Sequence, residues 1–170
     1  MAPVNFYGQS KAEGEQLALA ANPKTIIIRT SWVFSAHGNN FVKSMIRLMN
    51  ERDQLNIVQD QKGRPTYAKD LAVATMQLVD ALNHGNSLSG IYHYANQGET
   101  TWFDFAVAIK ELAGFQTKVN PIETKDFPTP AKRPAYSVLD TKDIEQALGI
   151  TIPTWQDALA RCYKALQQNN

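Results

Sequence analysis

An α/β layer structure is the fold class this sequence predicts, and three observations predict it. Segments with apolar residues at helical spacing alternate with short apolar or β-branched runs, and glycine, asparagine or proline closes nearly every segment. Apolar residues make up 44% of the 170, enough to bury one core of ordinary size. Thr25 to Arg29 is a continuous β-branched run of the kind found in a strand covered on both faces, as in a parallel sheet flanked by helices.

In chain order, Gln9 to Ala21 is the first predicted helix, with Leu17, Ala18 and Ala21 on one face and Asn22-Pro23 as its stop. The strand Thr25 to Arg29 follows. Asn39 or Asn40 caps a helix in which Phe41, Met45, Leu48 and Met49 share a stripe that ends near Arg52. Leu55 to Val58 is a short strand, and Asp60-Gln61-Lys62-Gly63-Arg64-Pro65-Thr66 is a loop. The clearest helical stripe is Leu71, Ala74, Thr75, Leu78, Val79 and Leu82, closed at Asn83-His84-Gly85. Ile91 to Tyr94 is the next strand. Thr100 or Thr101 caps a helix with Trp102, Phe105, Ala106, Ile109 and Leu112 facing one way, and Gly114 ends it. Lys118 to Ile122 is a last strand. Four of the eight prolines then fall between Pro121 and Pro134, which predicts a long, stiff loop without regular structure. Thr141 to Leu148, closed by Gly149, and Thr154 to Gln167, with Trp155, Leu159, Tyr163 and Leu166 in register, are the final helices.

Composition excludes several classes of function. Lysine and arginine number 17 against 16 aspartate and glutamate, so no net field draws in nucleic acid or an anionic membrane, and a bound anion must meet a local cluster. The single cysteine, Cys162, cannot form an internal disulfide; its place in a helical pattern predicts a buried small hydrophobe, and such usage fits a reducing cytoplasm. Apolar runs such as Ile26 to Ile28 are far too short to span a bilayer, and no leader sequence is expected. His37, His84 and His93 lack ligand spacing, so no structural metal is expected. No pair of the nine glycines makes G-x-G-x-x-G or a P-loop, so the usual device for gripping a dinucleotide is missing from the sequence.

Tyr7-Gly8-Gln9-Ser10-Lys11 sets a phenol and an ammonium four residues apart, on one face at the start of a helix. An ammonium beside a phenol favours the phenolate, which makes the phenol a usable proton carrier near neutral pH. In a carbonyl reduction Tyr7 would give its proton to the substrate oxygen, and Lys11 could also bind a cofactor's ribose hydroxyls. An ordinary surface pair is the competing reading. Trp32 lies just past the carboxyl end of the β-branched run, where α/β folds bind ligands, and could be a ligand-facing ring or a half-buried core aromatic. The hydroxyls of Thr30 and Ser31 could finish the strand by bonding neighbouring backbone. Lys132 and Arg133 in the proline-rich loop, with Arg64 in the earlier loop, read as an anion clamp or as solvated charge. Asn39 and Asn40 divide between helix cap and a pocket-mouth amide.

Several of these segments together resemble a known family. Pro3 to Lys11 followed by Gly14-Glu15 is similar to the active-site helix of the extended short-chain dehydrogenases/reductases. Arg29-Thr30-Ser31-Trp32-Val33-Phe34 with Gly38-Asn39-Asn40-Phe41 looks like the next segment of that family's dTDP-4-dehydrorhamnose reductase branch. Asp60-Gln61-x-Gly63-x-Pro65-Thr66, Thr100-Thr101-Trp102, and Pro128 to Pro134 ahead of Ser137 and Leu139 extend the likeness over nearly the whole chain.

The resemblance implies the C-terminal part of a Rossmann-like fold, with short parallel strands flanked by helices and a small substrate-binding region. Residues 1–60 would be the remainder of the catalytic domain and 61–170 the substrate region, with elements free to interleave. It implies Tyr7 as proton donor, Lys11 as its partner, NADPH or NADH as cofactor near Tyr7, Lys11, Thr30 and Ser31, and a dTDP-sugar held by Trp32, Asn39, Arg64, Lys132 and Arg133. The family's third catalytic hydroxyl precedes the tyrosine by more than the six residues present here, so the chain alone is expected to be inactive. Loss of the family's central strands would favour self-association, as a homodimer or by swapping. A non-catalytic module like the regulatory subunits of methionine adenosyltransferase, and a nucleotide-sugar epimerase or dehydratase, are the alternatives.

Overall fold

A computed structural model describes residues 3–168. It is an α/β structure of short, mostly parallel strands flanked by helices, as expected. Helix α1 (Phe6–Ala21) begins three residues before the predicted start, because the Asn5 side chain caps it by accepting from the Gly8 N–H at 2.8 Å. Tyr7 therefore sits inside the first turn. Strand β1 (Ile26–Arg29) pairs in parallel with β6 (Gly90–His93). Between them come β2 (Val33–Phe34), α2 (Phe41–Glu51), β3 (Gln54–Val58), β4 (Lys62–Gly63), β5 (Thr66–Tyr67) and α3 (Ala68–Asn83). After β6 follow β7 (Thr100–Thr101), α4 (Trp102–Ala113), β8 (Lys118–Ile122), a 3-10 turn at Thr124–Asp126, α5 (Lys142–Leu148) and α6 (Trp155–Gln168).

The pairs β2–β5 and β3–β8 are also parallel, whereas β4–β7 is antiparallel. The two-residue strands β2, β4, β5 and β7 were not expected, since two residues are too few to show a period of 2. Pro121 lies within β8 opposite Ile57, a position open to proline because each sheet has two strands and every strand is an edge.

The main core sits where α2, α4 and α6 meet. Phe105 is its centre, fully buried, with ring centroids 5.5 Å from Phe34, 5.6 Å from Phe41 and 5.6 Å from Trp155. Cys162 is buried there, and burial pushes its thiol up to about 11. A second cluster of Ala74, Leu78, Tyr94, Ile144 and Ile152 lies against β1 and β6. A polar network joins the two. Asp70 takes two hydrogen bonds from Arg161, at 2.6 and 2.7 Å, and a third from Asn96 at 2.8 Å, while the Asn96 carbonyl oxygen accepts from the Tyr67 N–H.

Two expectations of burial fail for one reason. β1 is only half-buried at all four residues, not covered on both faces, and α1 buries none of its residues, leaving Leu17 71% exposed. A two-stranded sheet has too little surface to bury a helix of this length. On α3, Leu78 and Ala74 of the predicted stripe are buried, but Val79 and Leu82 are exposed; on α4, Leu112 is exposed too.

What ties α1 down is largely polar. Glu15 is ion-paired to Arg29 of β1 through both carboxylate oxygens, one at 2.7 Å from Nε, and Arg29 also approaches Nε2 of His93 at 3.4 Å. The hydrogen bond from Arg29 holds the Glu15 carboxyl below its ordinary value. A depressed carboxylate contributes stability above its unfolded value of roughly 4.3 and loses it as pH falls through the lower folded value. Glu15→Gln should therefore flatten the loss of stability between about pH 5 and pH 3, measured by urea unfolding at each pH. An unchanged acid limb would show that the pair does not hold α1.

Candidate functional site

Tyr7 and Lys11 lie one turn apart on α1, and the Lys11 ammonium stands over the face of the Tyr7 ring, 5.6 Å from its centroid. The phenol is 70% exposed, and the polar attachment of α1 is what leaves this pair open. Asn5, which caps the helix, also donates from Nδ2 to the Lys132 carbonyl at 2.9 Å. The N-terminus of α1 is thereby bonded to the middle of the proline-rich loop.

That loop borders a cavity of about 650 Å³. Met45, Leu55, Ile57 and Trp102 give it an apolar floor, while Thr129 and Arg133 of the loop and Arg52 supply polar groups. Its size and lining suit a small organic molecule with one charged end. Phe127, 55% exposed, adds an aromatic at the loop side.

The loop is pinned at each end by the Asp60 to Thr66 segment. Asp60 accepts from the Thr124 backbone N–H at 3.0 Å and from its hydroxyl at 2.7 Å, and these bonds hold the Asp60 carboxyl below its ordinary value. Gln61 donates to the same hydroxyl. At the far end, the Lys62 N–H donates to the Ala135 carbonyl, the Lys62 carbonyl accepts from Ser137, and Arg64 Nη1 donates to the Leu139 carbonyl at 3.0 Å. Arg64, expected to face an anion, is thus committed in part to holding this loop. Its Nε is buried without a partner among the described residues.

Of the remaining expected residues, Thr30 donates its hydroxyl to Thr66 Oγ1 at 3.1 Å and Ser31 to the Arg64 carbonyl at 2.8 Å. Both hydroxyls therefore fasten β1 to the Asp60 to Thr66 segment. Asn40, not Asn39, caps α2, accepting from the Lys43 N–H at 3.3 Å and donating to the Ser35 carbonyl at 2.8 Å. Asn39 stays exposed in the turn before it. Lys132 is exposed, and of the three expected cations Arg133 is the one that lines the cavity.

Trp32 is partly buried and carries φ of +48°, the one positive value outside glycine among the described residues. For a bulky residue this left-handed backbone costs on the order of 1–3 kcal/mol, and such strain persists only where the surroundings fix it. Its ring stacks on Trp102 at 3.7 Å between centroids and 13° between planes. Trp102, read from the sequence as a core-facing helix residue, is thus shared between Trp32 and the cavity. Gly63 lies against the Trp32 indole at Cε2. The glycine of Asp60-Gln61-x-Gly63 was visible as a motif, but its partner across the fold was not.

The sequence matches the family described as RmlD substrate binding domain over residues 1–168. It is 48% identical over 164 residues to a dTDP-4-dehydrorhamnose reductase of Aggregatibacter actinomycetemcomitans, covering 92% of this chain and 56% of that protein. A crystal structure of a dTDP-4-dehydrorhamnose reductase from Clostridium acetobutylicum superposes with a TM-score of 0.91 at 41% identity, over 98% of this chain and 57% of that one. A Bacillus anthracis dTDP-4-dehydrorhamnose reductase, crystallised with NADP, gives 0.85 at 40% identity, over 96% and 56%. The chain thus spans little more than half the length of these relatives.

Proposed function

The chain belongs to the RmlD substrate binding domain family, and from that premise we propose that it supplies the sugar-nucleotide site and the proton donor of a nucleotide-sugar reductase. The reaction is reduction of dTDP-4-dehydro-L-rhamnose to dTDP-L-rhamnose with NADPH or NADH, a step in dTDP-rhamnose biosynthesis. The observation that carries this reading is the Tyr7–Lys11 pair, exposed on a helix whose cap is bonded to the same loop that brings Arg133 to the cavity.

In this reading the nucleotide enters the apolar cavity, whose floor excludes water from a planar base. Arg133 binds pyrophosphate oxygens, with Lys132 and Arg64 as the further cations of the set. Trp32 and Asn39 face the hexose. Tyr7 gives its hydroxyl proton to the C4 carbonyl oxygen, and the Lys11 ammonium stabilises the phenolate that remains. The nicotinamide, when bound, supplies hydride to the carbonyl carbon. On this chain Tyr7 and Lys11 fit a ribose, since both are exposed on one helix face. Thr30 and Ser31 fit it only as acceptors, because their protons are already committed.

In this reading residues 1–60 are the remainder of the catalytic domain and 61–170 the substrate region, and the pairs β1–β6, β2–β5 and β3–β8, which cross that division, support their interleaving. No helix among the described residues is long and apolar enough to cross a membrane, and the buried, unpaired Cys162 fits a reducing cytoplasm. Exposed Phe6 and Leu17 on α1 favour self-association of the isolated chain, as a homodimer or by swapping.

Calorimetric titration with dTDP tests the reading. Saturable binding is expected, weakened roughly tenfold by Arg133→Ala, the effect of one charge-assisted hydrogen bond of about 1.5 kcal/mol. With dTDP-4-dehydro-L-rhamnose and NADPH the chain alone should oxidise no NADPH. Indifference to dTDP would refute the assignment, and unaided steady turnover would refute the inactivity of the chain by itself.

A further inference from the structure

We propose that Gly63 and Trp102 are positioning residues for Trp32, holding its indole in the one orientation in which it meets the hexose of the bound nucleotide. The proposal rests on the functional reading above and extends it to residues that touch Trp32 and not the reacting atoms.

Both residues come from one small unit. Gly63 is the last residue of β4 and pairs with Thr100 of β7, and Trp102 follows β7 directly as the first residue of α4. A single antiparallel pair therefore fixes the backbone at Gly63 and the root of the Trp102 side chain together. Against that unit the Trp32 indole is held from two directions. Trp102 covers one face at 3.7 Å, itself backed by Phe41 at 4.7 Å. Gly63 lies so close to the ring, over its face at Cε2, that a Cβ there would stand 2.5 Å from Cε2, 2.7 Å from Cζ2 and 2.9 Å from Nε1 of Trp32. Real Cβ contacts are never that short, so only glycine permits this ring position. The backbone of Trp32 is held as well, its carbonyl accepting from the Thr66 N–H at 3.2 Å.

The left-handed φ of Trp32 shows what the clamp resists. Left to itself, the residue would relax to an ordinary backbone region and swing the indole away. Gly63 also follows Gln61 and Lys62, which anchor the proline-rich loop, so the ring and the loop that carries Arg133 share one support.

Gly63→Ala, Trp102→Leu and Trp102→Phe test the clamp in the 170-residue chain. Two indoles in contact give an exciton couplet in circular dichroism, which reads the stack directly. Titrations with dTDP and with dTDP-L-rhamnose read its consequence, because their affinity ratio isolates the sugar. Gly63→Ala should abolish the couplet and lower the affinity for dTDP-L-rhamnose about tenfold, leaving that for dTDP within about twofold. Trp102→Leu removes part of the cavity floor as well as the stack, so it should weaken both ligands, dTDP-L-rhamnose by about tenfold more than dTDP, and Trp102→Phe, which keeps a ring in both places, should restore the ratio. A merely structural role would lower the melting temperature without moving the ratio. Persistence of the couplet in Gly63→Ala, or its loss with an unchanged ratio, overturns the proposal. If Gly63→Ala does not fold, the two Trp102 variants decide by the same ratio. Failure of the unaltered chain to bind dTDP removes the functional reading instead, and the couplet still decides whether the clamp exists.

Discussion

Tyr7→Phe should lower the turnover of the proposed reductase, assayed with a dinucleotide-binding portion supplied, by roughly 10²- to 10⁴-fold, the usual contribution of a positioned proton donor. The change removes one oxygen from an exposed ring that makes no buried contact, so folding should be unaffected. Affinity of the chain for dTDP should be unchanged too, because Tyr7 does not line the cavity. The loss should fall on kcat, since the proton is transferred only as the carbonyl is reduced. Lys11→Met should produce a smaller loss in the same parameter, by leaving the phenolate without its cation. A non-catalytic module of the same fold predicts no effect of either change on any activity of the protein. Turnover of Tyr7→Phe within a few-fold of the parent would decide for that module and against a proton donor at this position.

Phe105→Ala should destabilise the chain by about 4 kcal/mol, most of what a small domain has to spare, as read from urea unfolding with the slope unchanged. The ring is fully buried where α2, α4 and α6 meet and touches three other aromatic rings from three separate elements. Its removal leaves a cavity that rigid aromatic neighbours cannot close. Leu112→Ala, about two turns further along α4 but 40% exposed, is the control and should cost less than about 1 kcal/mol. Equal effects from the two would mean that the core is not organised around Phe105.

The contrast between those two positions on α4 shows where reading the sequence stops. Periodicity placed Phe105, Ala106, Ile109 and Leu112 on one stripe of α4, and the first three are buried. Helical spacing states which residues share a face; it does not state how wide the neighbour on that face is. The same limit explains Leu17 on α1, whose neighbour in this chain is a two-stranded sheet. Asn5 is an ordinary cap residue, but the weak apolar pattern that follows it gives the sequence no sign of a helix starting there.

For the site, the residues with chemistry were visible and their partners were not. Tyr7 and Lys11 are four apart in one helix, so their proximity is a local matter that spacing alone decides. Arg64 looked like a free cation because nothing local uses it; the Leu139 carbonyl that it meets lies on another segment of the chain. Thr30 and Ser31 meet the Asp60 to Thr66 segment in the same way.

By itself, then, the sequence determined what depends on neighbours a few residues apart: the helices, the longer strands, the glycine and asparagine stops, and the phenol beside its ammonium. Tertiary structure alone decided which hydroxyls and guanidiniums are already engaged, how the proline-rich loop is pinned, and that Trp32 is clamped between Gly63 and Trp102. These are contacts between segments 30 to 75 residues apart. Such contacts follow from how whole elements pack, and no periodicity along the chain encodes which distant partner will complete them.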